Sequence, residues 1–319
     1  MDVSSQQRSK VAVVGAGSVG ATIAYACLIR GVGKTIALYD HDAHKVRAEV
    51  LDLNQGMQFV SMATVVGSDD VAVTADADVV VVTAGAKQRP GQSRLDLAAV
   101  NVEMLRSLVP RLVELSPKAL FLMVTNPVDV LTYAAVQFGG LAGGRVFGSG
   151  TLLDSSRLRL LIADHCGVAV QSVHAFVVGE HGDSELALWS RASIGPVPVE
   201  QWSAPGCTPF DEVTRTMFAR KVVNAADEII RGKGATNYAI GLATARILEA
   251  TLYDESSVLP VSSMLEGQYG IDDVCLSLPC IVNRAGVDTV LTPQLSGLEL
   301  EALRHSADAV RGVARSLGL

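Results

Sequence analysis

Residues 11–20 read VAVVGAGSVG, an apolar β-branched run that opens directly into Gly15, Gly17 and Gly20 with the spacing GxGxxG. The spacing alone proves little, because with 29 glycines in 319 residues it arises by chance in about one such chain in four. Its surroundings decide the reading. A strand-like run precedes the glycines, a helical pattern over residues 19–30 follows, and Asp40 closes the next apolar run, TIALYD. Glycine is needed here for the tight turn and for close approach of a pyrophosphate, whose charge then rests on a helix N-terminus opened by Ser18 and Val19. Asp40 can accept hydrogen bonds from ribose hydroxyls and would repel a 2'-phosphate, which predicts NAD rather than NADP as the cofactor. The competing reading is a purely structural turn with Asp40 merely ending a strand.

Working outward, KVAVVG, TIALYD, ATVVG, DVVVVTA, ALFLMVT and RVFGSG are short apolar runs separated by longer segments with helical periodicity. Continuous apolar strands of this kind are those buried on both faces of a parallel sheet, so the pattern predicts a doubly wound α/β domain of the Rossmann type over residues 1–148. Near Gly148–Gly150 the rhythm changes. A helix is expected over LLDSSRLRLLIADHC, then mixed strands and turns to Pro209, helices over 211–231 and 235–251, short strands in VLPVSSMLEG and SLPCIVNR, and an amphipathic helix over 296–317. Residues 149–319 therefore read as an α+β substrate domain, with the binding site expected in the cleft between the two.

Composition narrows the function. The chain is 49% hydrophobic and 18% charged with net charge −7, enough apolar material for a large core. It has no basic run suited to nucleic acid or an anionic membrane. No apolar run approaches the roughly 18–20 residues of a membrane span, and the polar start MDVSSQQRSK lacks the order of a secretory signal, so a cytoplasmic protein is expected. Five cysteines, at 27, 166, 207, 275 and 280, include no CxxC, and neither a disulfide framework nor a metal site is indicated. Small-molecule chemistry is what remains.

Three stretches carry that chemistry. Residues 85–94, GAKQRPGQSR, follow the carboxyl end of the fourth expected strand and concentrate donors without a carboxylate, as an anion-binding lid would. A solvated linker is the alternative. In LLDSSRLR, Asp154 and Arg157 stand three apart on one helix face, where a local surface ion pair is the plain reading. GEHGDS, residues 179–184, places His181 in a polar turn, usually a solvated position.

Taken with TNPVD and KGATNYAIG, these stretches resemble the L-lactate/L-malate dehydrogenase family over essentially the whole chain, in the family's order and spacing. The resemblance implies reversible hydride transfer between NADH and pyruvate, giving L-lactate and NAD. It implies that Asp154 pairs with His181, the acid–base group, that Arg157 holds the substrate carboxylate, and that Arg94 polarises the carbonyl. Asn126 would orient the reacting oxygen beside the cofactor, across a cis bond to Pro127. Each role suits its chemistry: a guanidinium offers a carboxylate two donors, and a carboxylate beside imidazole favours the charged form. Gln88 takes the position where malate dehydrogenases carry an arginine for the second carboxylate, which favours pyruvate; a one-position shift would put Arg89 there instead. Gln92 departs from the glutamate common in lactate dehydrogenases. Thr236 would line the substrate side chain and Ile240 the nicotinamide face, with helix-core packing as the alternative for both.

Arg159 lies about 140° around the helix from Asp154, and His174 stands an odd number of residues before His181, so both are expected to face away from the cleft. In bacterial relatives activated by fructose 1,6-bisphosphate, the matching residues bind the effector's phosphate across a subunit interface, which implies an allosteric homotetramer. Malate dehydrogenase or another 2-hydroxyacid dehydrogenase is the rival activity. A non-catalytic NAD-binding module is the rival class, and it would need the glycines and Asp40 but not His181, Asp154, Arg157 and Arg94 together.

Overall fold

Six of the apolar runs form parallel strands: β1 (Lys10–Val14), β2 (Thr35–Tyr39), β3 (Thr64–Ser68), β4 (Val79–Val82), β5 (Leu120–Met123) and β6 (Val146–Gly148). The computed structural model describes residues 9–86, 94–203 and 209–319, the side chain of Arg94 excepted. Side chains alternate between two cores, Val11, Val13, Val79 and Val81 on one face and Ala12, Val14, Val80 and Val82 on the other. A strand apolar at every position is stable only because both faces are covered.

The covering helices are α1 (Ser18–Arg30), α2 (Ala43–Gln55), α3 (Arg94–Leu115) and α4 (Val128–Gly139), followed by α5 (Leu152–Cys166), α6 (Glu212–Lys233), α7 (Tyr238–Leu252) and α8 (Gly297–Ser316). Between α5 and α6 lie short strands: β7 (Val173–His174), β8 (Val177–Val178), β9 (Leu186–Ala187), β10 (Ser193–Ile194) and β11 (Val197–Pro198). After α7 come β12 (Ser257–Glu266), β13 (Asp272–Asn283) and β14 (Gly286–Val290). Helix α7 packs on α1, where a Cβ on Gly241 would approach a methyl of Thr22 to 2.6 Å and Arg30 makes a two-pronged ion pair with Glu249 at 2.6 and 2.7 Å. Ser296 and Glu299 form a reciprocal cap at the start of α8.

Two features depart from the expected layout. VLPVSSMLEG and SLPCIVNR belong to strands of ten and twelve residues, β12 and β13, rather than short ones. Buried Ser262, Ser263 and Ser277 interrupt the apolar signal there, while the antiparallel ladder continues through them. The sheet also runs on past residue 148: β12 pairs with β6 through Ser262 and Gly148, giving one nine-stranded sheet of order β14-β13-β12-β6-β5-β4-β1-β2-β3. The substrate half is thus rooted in the same sheet as the nucleotide half. Parallel strands β1, β4, β5 and β6 end on one edge, and each hands the chain to a segment singled out in the sequence.

Candidate active site

At that edge, β1 delivers the glycine turn. Gly15 has φ +101°, and a Cβ there would lie 2.7 Å from the Ala84 nitrogen; one on Gly20 would lie 1.9 Å from the Gly15 carbonyl oxygen. Only glycine permits this crossing of the turn under the following helix. Gly17 precedes α1 without any side-chain cap, which leaves the N–H groups of the first turn for an anion. These three glycines, Ser18, Val19 and Asp40 all line a cavity of about 830 Å³, whose far wall includes Val100, Met104 and Ala235. Neither Asn126 nor Ile240 is part of that wall.

Asp40 is buried and accepts from the Ala16 N–H at 2.8 Å, the Asp42 N–H at 3.1 Å and the Lys45 ammonium at 3.3 Å. Burial opposes its charge, but the two N–H groups and Lys45 outweigh it and hold the carboxyl below its ordinary range. A persistent anion at the end of β2, facing a cavity that reaches a free helix N-terminus, fits a dinucleotide with an unmodified adenosine ribose.

The second cluster lies where α5 leaves β6. Asp154, 1% exposed in the first turn of α5, places one oxygen 2.6 Å from Arg157 Nη1 and the other 2.6 Å from His181 Nδ1. The i,i+3 spacing brings the arginine to the carboxylate; tertiary structure brings the histidine. The turn carrying His181 is pinned at several points. Gly179 bridges to Ser277, the Glu180 N–H donates to Ser306 Oγ at 2.7 Å, and the His181 N–H donates to Asp129 Oδ2 at 2.7 Å. Asp129 in turn accepts from Ser262 Oγ at 2.6 Å.

Burial works against a charged imidazole at His181, but Asp154 overcomes it, with help from Asp129 and Glu185, and its pKa is pushed up to about 9. Asp154, although buried, is held below the usual carboxylate range by His181 and Arg157. Opposite charges thus stabilise each other in a site with little water, leaving an imidazolium whose Nε2 is free of the pairing. A protonated donor beside a guanidinium can bind a carboxylate and deliver a proton to an oxygen next to it.

Gln88, Arg89 and Gln92 lie outside the described residues, as does the side chain of Arg94, although Arg94 opens α3. The Asn126–Pro127 bond is cis; Asn126 is exposed, and its carbonyl accepts from Asn101 Nδ2 at 3.1 Å. Thr236 is half-buried in the turn before α7, and half-buried Ile240 packs against the α1 side of the core. Arg159 spends part of its donor capacity on the Ala175 carbonyl at 2.8 Å and lies 5.1 Å from the Phe176 ring centroid, while His174 is exposed on β7.

Three residues escaped the sequence reading. Asp129 anchors the His181 backbone, and its place in TNPVD was visible although nothing local distinguished it from a helix N-terminal acid. Asn101 also accepts from the Ala86 N–H at 2.8 Å and so ties the loop after β4 to Asn126, a link between segments far apart in sequence. Glu185 has a carboxylate oxygen within 4.8 Å of the donor atoms of both Asp154 and His181, a convergence no spacing rule announces.

A nucleotide cradle at the end of β1, opening along the same sheet edge as a cationic acid–base pair, defines a dinucleotide-dependent α/β enzyme acting on a small carboxylate. Residues 9–148 match the family model described as lactate/malate dehydrogenase, NAD binding domain, and residues 151–314 match lactate/malate dehydrogenase, alpha/beta C-terminal domain. The chain belongs to the lactate/malate dehydrogenase family, and NAD is its cofactor. It is 49% identical over 311 residues to the L-lactate dehydrogenase of Bifidobacterium animalis subsp. lactis, covering 97% of each chain. It is 46% identical over 308 residues to that of a Synechococcus strain, covering 97% of this chain and 99% of the relative. The crystal structure of the minor L-lactate dehydrogenase from Enterococcus mundtii in a ligand-bound form superposes with a TM-score of 0.93 at 39% identity, covering 97% and 98% of the two chains.

Proposed function

We propose that the chain is an NAD-dependent L-lactate dehydrogenase that reduces pyruvate to L-lactate and runs the reverse reaction. The observation that carries this reading is Asp154 bridging His181 and Arg157 at the sheet edge that also holds the NAD cradle. Bound NADH supplies the hydride. His181, oriented by Asp154 through Nδ1, donates a proton from Nε2 to the oxygen that gains charge, and takes it back in lactate oxidation. Arg157 binds the substrate carboxylate with the guanidinium edge not committed to Asp154. Arg94 stabilises charge on the carbonyl oxygen, an effect typically worth about 10² to 10³ in rate. Asn126 orients that oxygen beside the cofactor, with Thr236 beside the substrate methyl and Ile240 against the nicotinamide.

Gln88 sets the preference for pyruvate, because a glutamine cannot neutralise a second carboxylate and burying one unpaired costs several kcal/mol. Comparing kcat/KM for pyruvate and oxaloacetate by NADH absorbance tests this. A pyruvate preference that Gln88→Arg reverses supports the reading; a wild-type preference for oxaloacetate puts Arg89 inward and refutes it.

Regulation is the finer part of the proposal. Arg159, on α5 and bonded to the Ala175 carbonyl, and His174, on β7, bind a phosphate of fructose 1,6-bisphosphate in a homotetramer. Phe59 and Met62, 84% and 87% exposed after α2, are apolar surface that subunit contacts would cover. Activation by the bisphosphate at low pyruvate, lost in Arg159→Gln, tests the effector site, and sedimentation tests the subunit count.

A further inference from the structure

Glu185 follows the His181 turn by four residues and leads into β9. Its Oε1 is sealed from solvent and has no hydrogen-bond partner among the described residues, while a carboxylate oxygen lies within 4.8 Å of the donor atoms of Asp154 and His181. A buried carboxylate would ordinarily recruit a donor, because leaving it charged and unpaired costs several kcal/mol. The nearest cations are already engaged: Arg157 donates to Asp154, and His181 holds the other Asp154 oxygen.

The charges around Glu185 come from three elements. Asp154 and Arg157 face it from α5; Glu180 and His181 face it from its own turn; Asp129, at the start of α4, acts on the same imidazole. From α8 the neutral Ser306 hydroxyl reaches the same turn through Ser184, whose hydroxyl also donates to Glu180. Asp129, Asp154 and Glu180 therefore crowd two cations before any substrate enters. A carboxylate substrate adds a fourth negative group.

We propose that Glu185 is a positioning residue that must carry its proton for the oxo-acid to bind, since its ionisation would set a negative charge beside the cations that receive the substrate carboxylate. This deepens the proposed pyruvate reduction and rests on it. Burial first, and then the Asp154 charge, push the Glu185 carboxyl up to about 8, so the group is protonated at neutral pH and releases its proton before His181 does. Two protons, on Glu185 and on His181, are then needed on the alkaline side of pyruvate reduction, where a lone imidazole would need one.

The test is the pH profile of kcat/KM for pyruvate between pH 6 and 10.5, in the wild type and in Glu185→Gln, with NADH binding followed by fluorescence. The expected result is a wild-type alkaline limb that steepens towards a hundredfold fall per pH unit. In Glu185→Gln the limb should fall only tenfold per unit, with NADH affinity retained. Superimposable limbs overturn the proposal, as does a variant slower by one factor at every pH. If the variant does not fold, wild-type enzyme with NADH and the unreactive analogue oxamate is titrated calorimetrically near pH 9.5 in buffers of different ionisation heat. Uptake of clearly more than one proton per subunit supports the proposal, and one or fewer overturns it. A wild type that turns over no pyruvate at any pH refutes the proposed reaction itself, a failure distinguishable from an invariant slope.

Discussion

Asp154→Asn removes the charge that makes His181 an acid while nearly preserving the side chain's shape. In the wild type the imidazolium is held to a pKa of about 9 although burial opposes its charge. At the 2.6 Å separation of Nδ1 and Oδ2, with an effective dielectric near 20, the attraction is about 6 kcal/mol. The net upward shift from 6.5 to about 9 corresponds to roughly 3 kcal/mol, so the Asp154 charge and hydrogen bond, with Asp129 and Glu185 beside them, together outweigh a desolvation penalty larger than any one of those contributions. Without Asp154 the burial effect remains, and the histidine should titrate at or below its ordinary value. At pH 7.5 the protonated fraction then drops from nearly complete to about a tenth or less. Loss of tautomer control and of the Arg157 anchor adds to this, so kcat/KM for pyruvate should fall about 10² to 10³ at pH 7.5. NADH absorbance assays from pH 5 to 10 should show the alkaline limb moving down by more than one pH unit, with part of the activity recovered near pH 5. A uniform rate loss with an unmoved alkaline limb would refute the assignment of Asp154 as the group that keeps His181 protonated.

Three further outcomes are expected. Asp129 is pushed up to about 6 by burial, against the hydrogen bonds from Ser262 and the His181 N–H. Its folded pKa lies above the unfolded 3.8, so its contribution is fully present below pH 3.8 and is lost as pH rises through 6, about 3 kcal/mol in all. Asp129→Asn should therefore compare better with wild type at pH 8 than at pH 5 by roughly half that amount in urea unfolding; a gap independent of pH would contradict the assigned burial. In Gly20→Ala the new methyl would meet the Gly15 carbonyl oxygen at 1.9 Å, which forces the turn apart. NADH affinity should drop tenfold or more by fluorescence titration, and unchanged affinity would mean that the turn is not the pyrophosphate cradle. Asp40→Ser removes the anion that repels a 2'-phosphate while leaving Lys45 beside the cavity, so kcat/KM with NADPH should rise relative to NADH by at least tenfold. An unchanged ratio would remove Asp40 from cofactor selection.

What was legible in the sequence was legible because it is local. VAVVGAGSVG shows its turn within ten residues, since Gly20 must stay bare beside the Gly15 carbonyl oxygen five positions earlier, although Gly15 itself answers to Ala84 and Thr83 on a distant segment. The apolar runs give β1 to β6, because burial on both faces demands apolar side chains at every position. Asp154 and Arg157 could be placed on one face by helical spacing alone, and they meet at 2.6 Å. The extent of β12 and β13 was less legible, because buried serines within an antiparallel ladder look like turn residues until their partners are known.

Only the tertiary structure could decide the rest. His181 meets Asp154 across 27 positions, and Asp129 reaches the His181 backbone across 52 and Ser262 across 133. The joining of β12 to β6 extends one sheet through both halves of the chain. Acidity belongs to the same category. The chain supplied a histidine and several carboxylates with ordinary pKa values, and what separates His181 from a surface histidine, or Glu185 from a solvated glutamate, is the water excluded and the charges brought near when distant segments pack. Residue types and their short-range order are written in the sequence, whereas dielectric and long-range proximity exist only once the chain has folded.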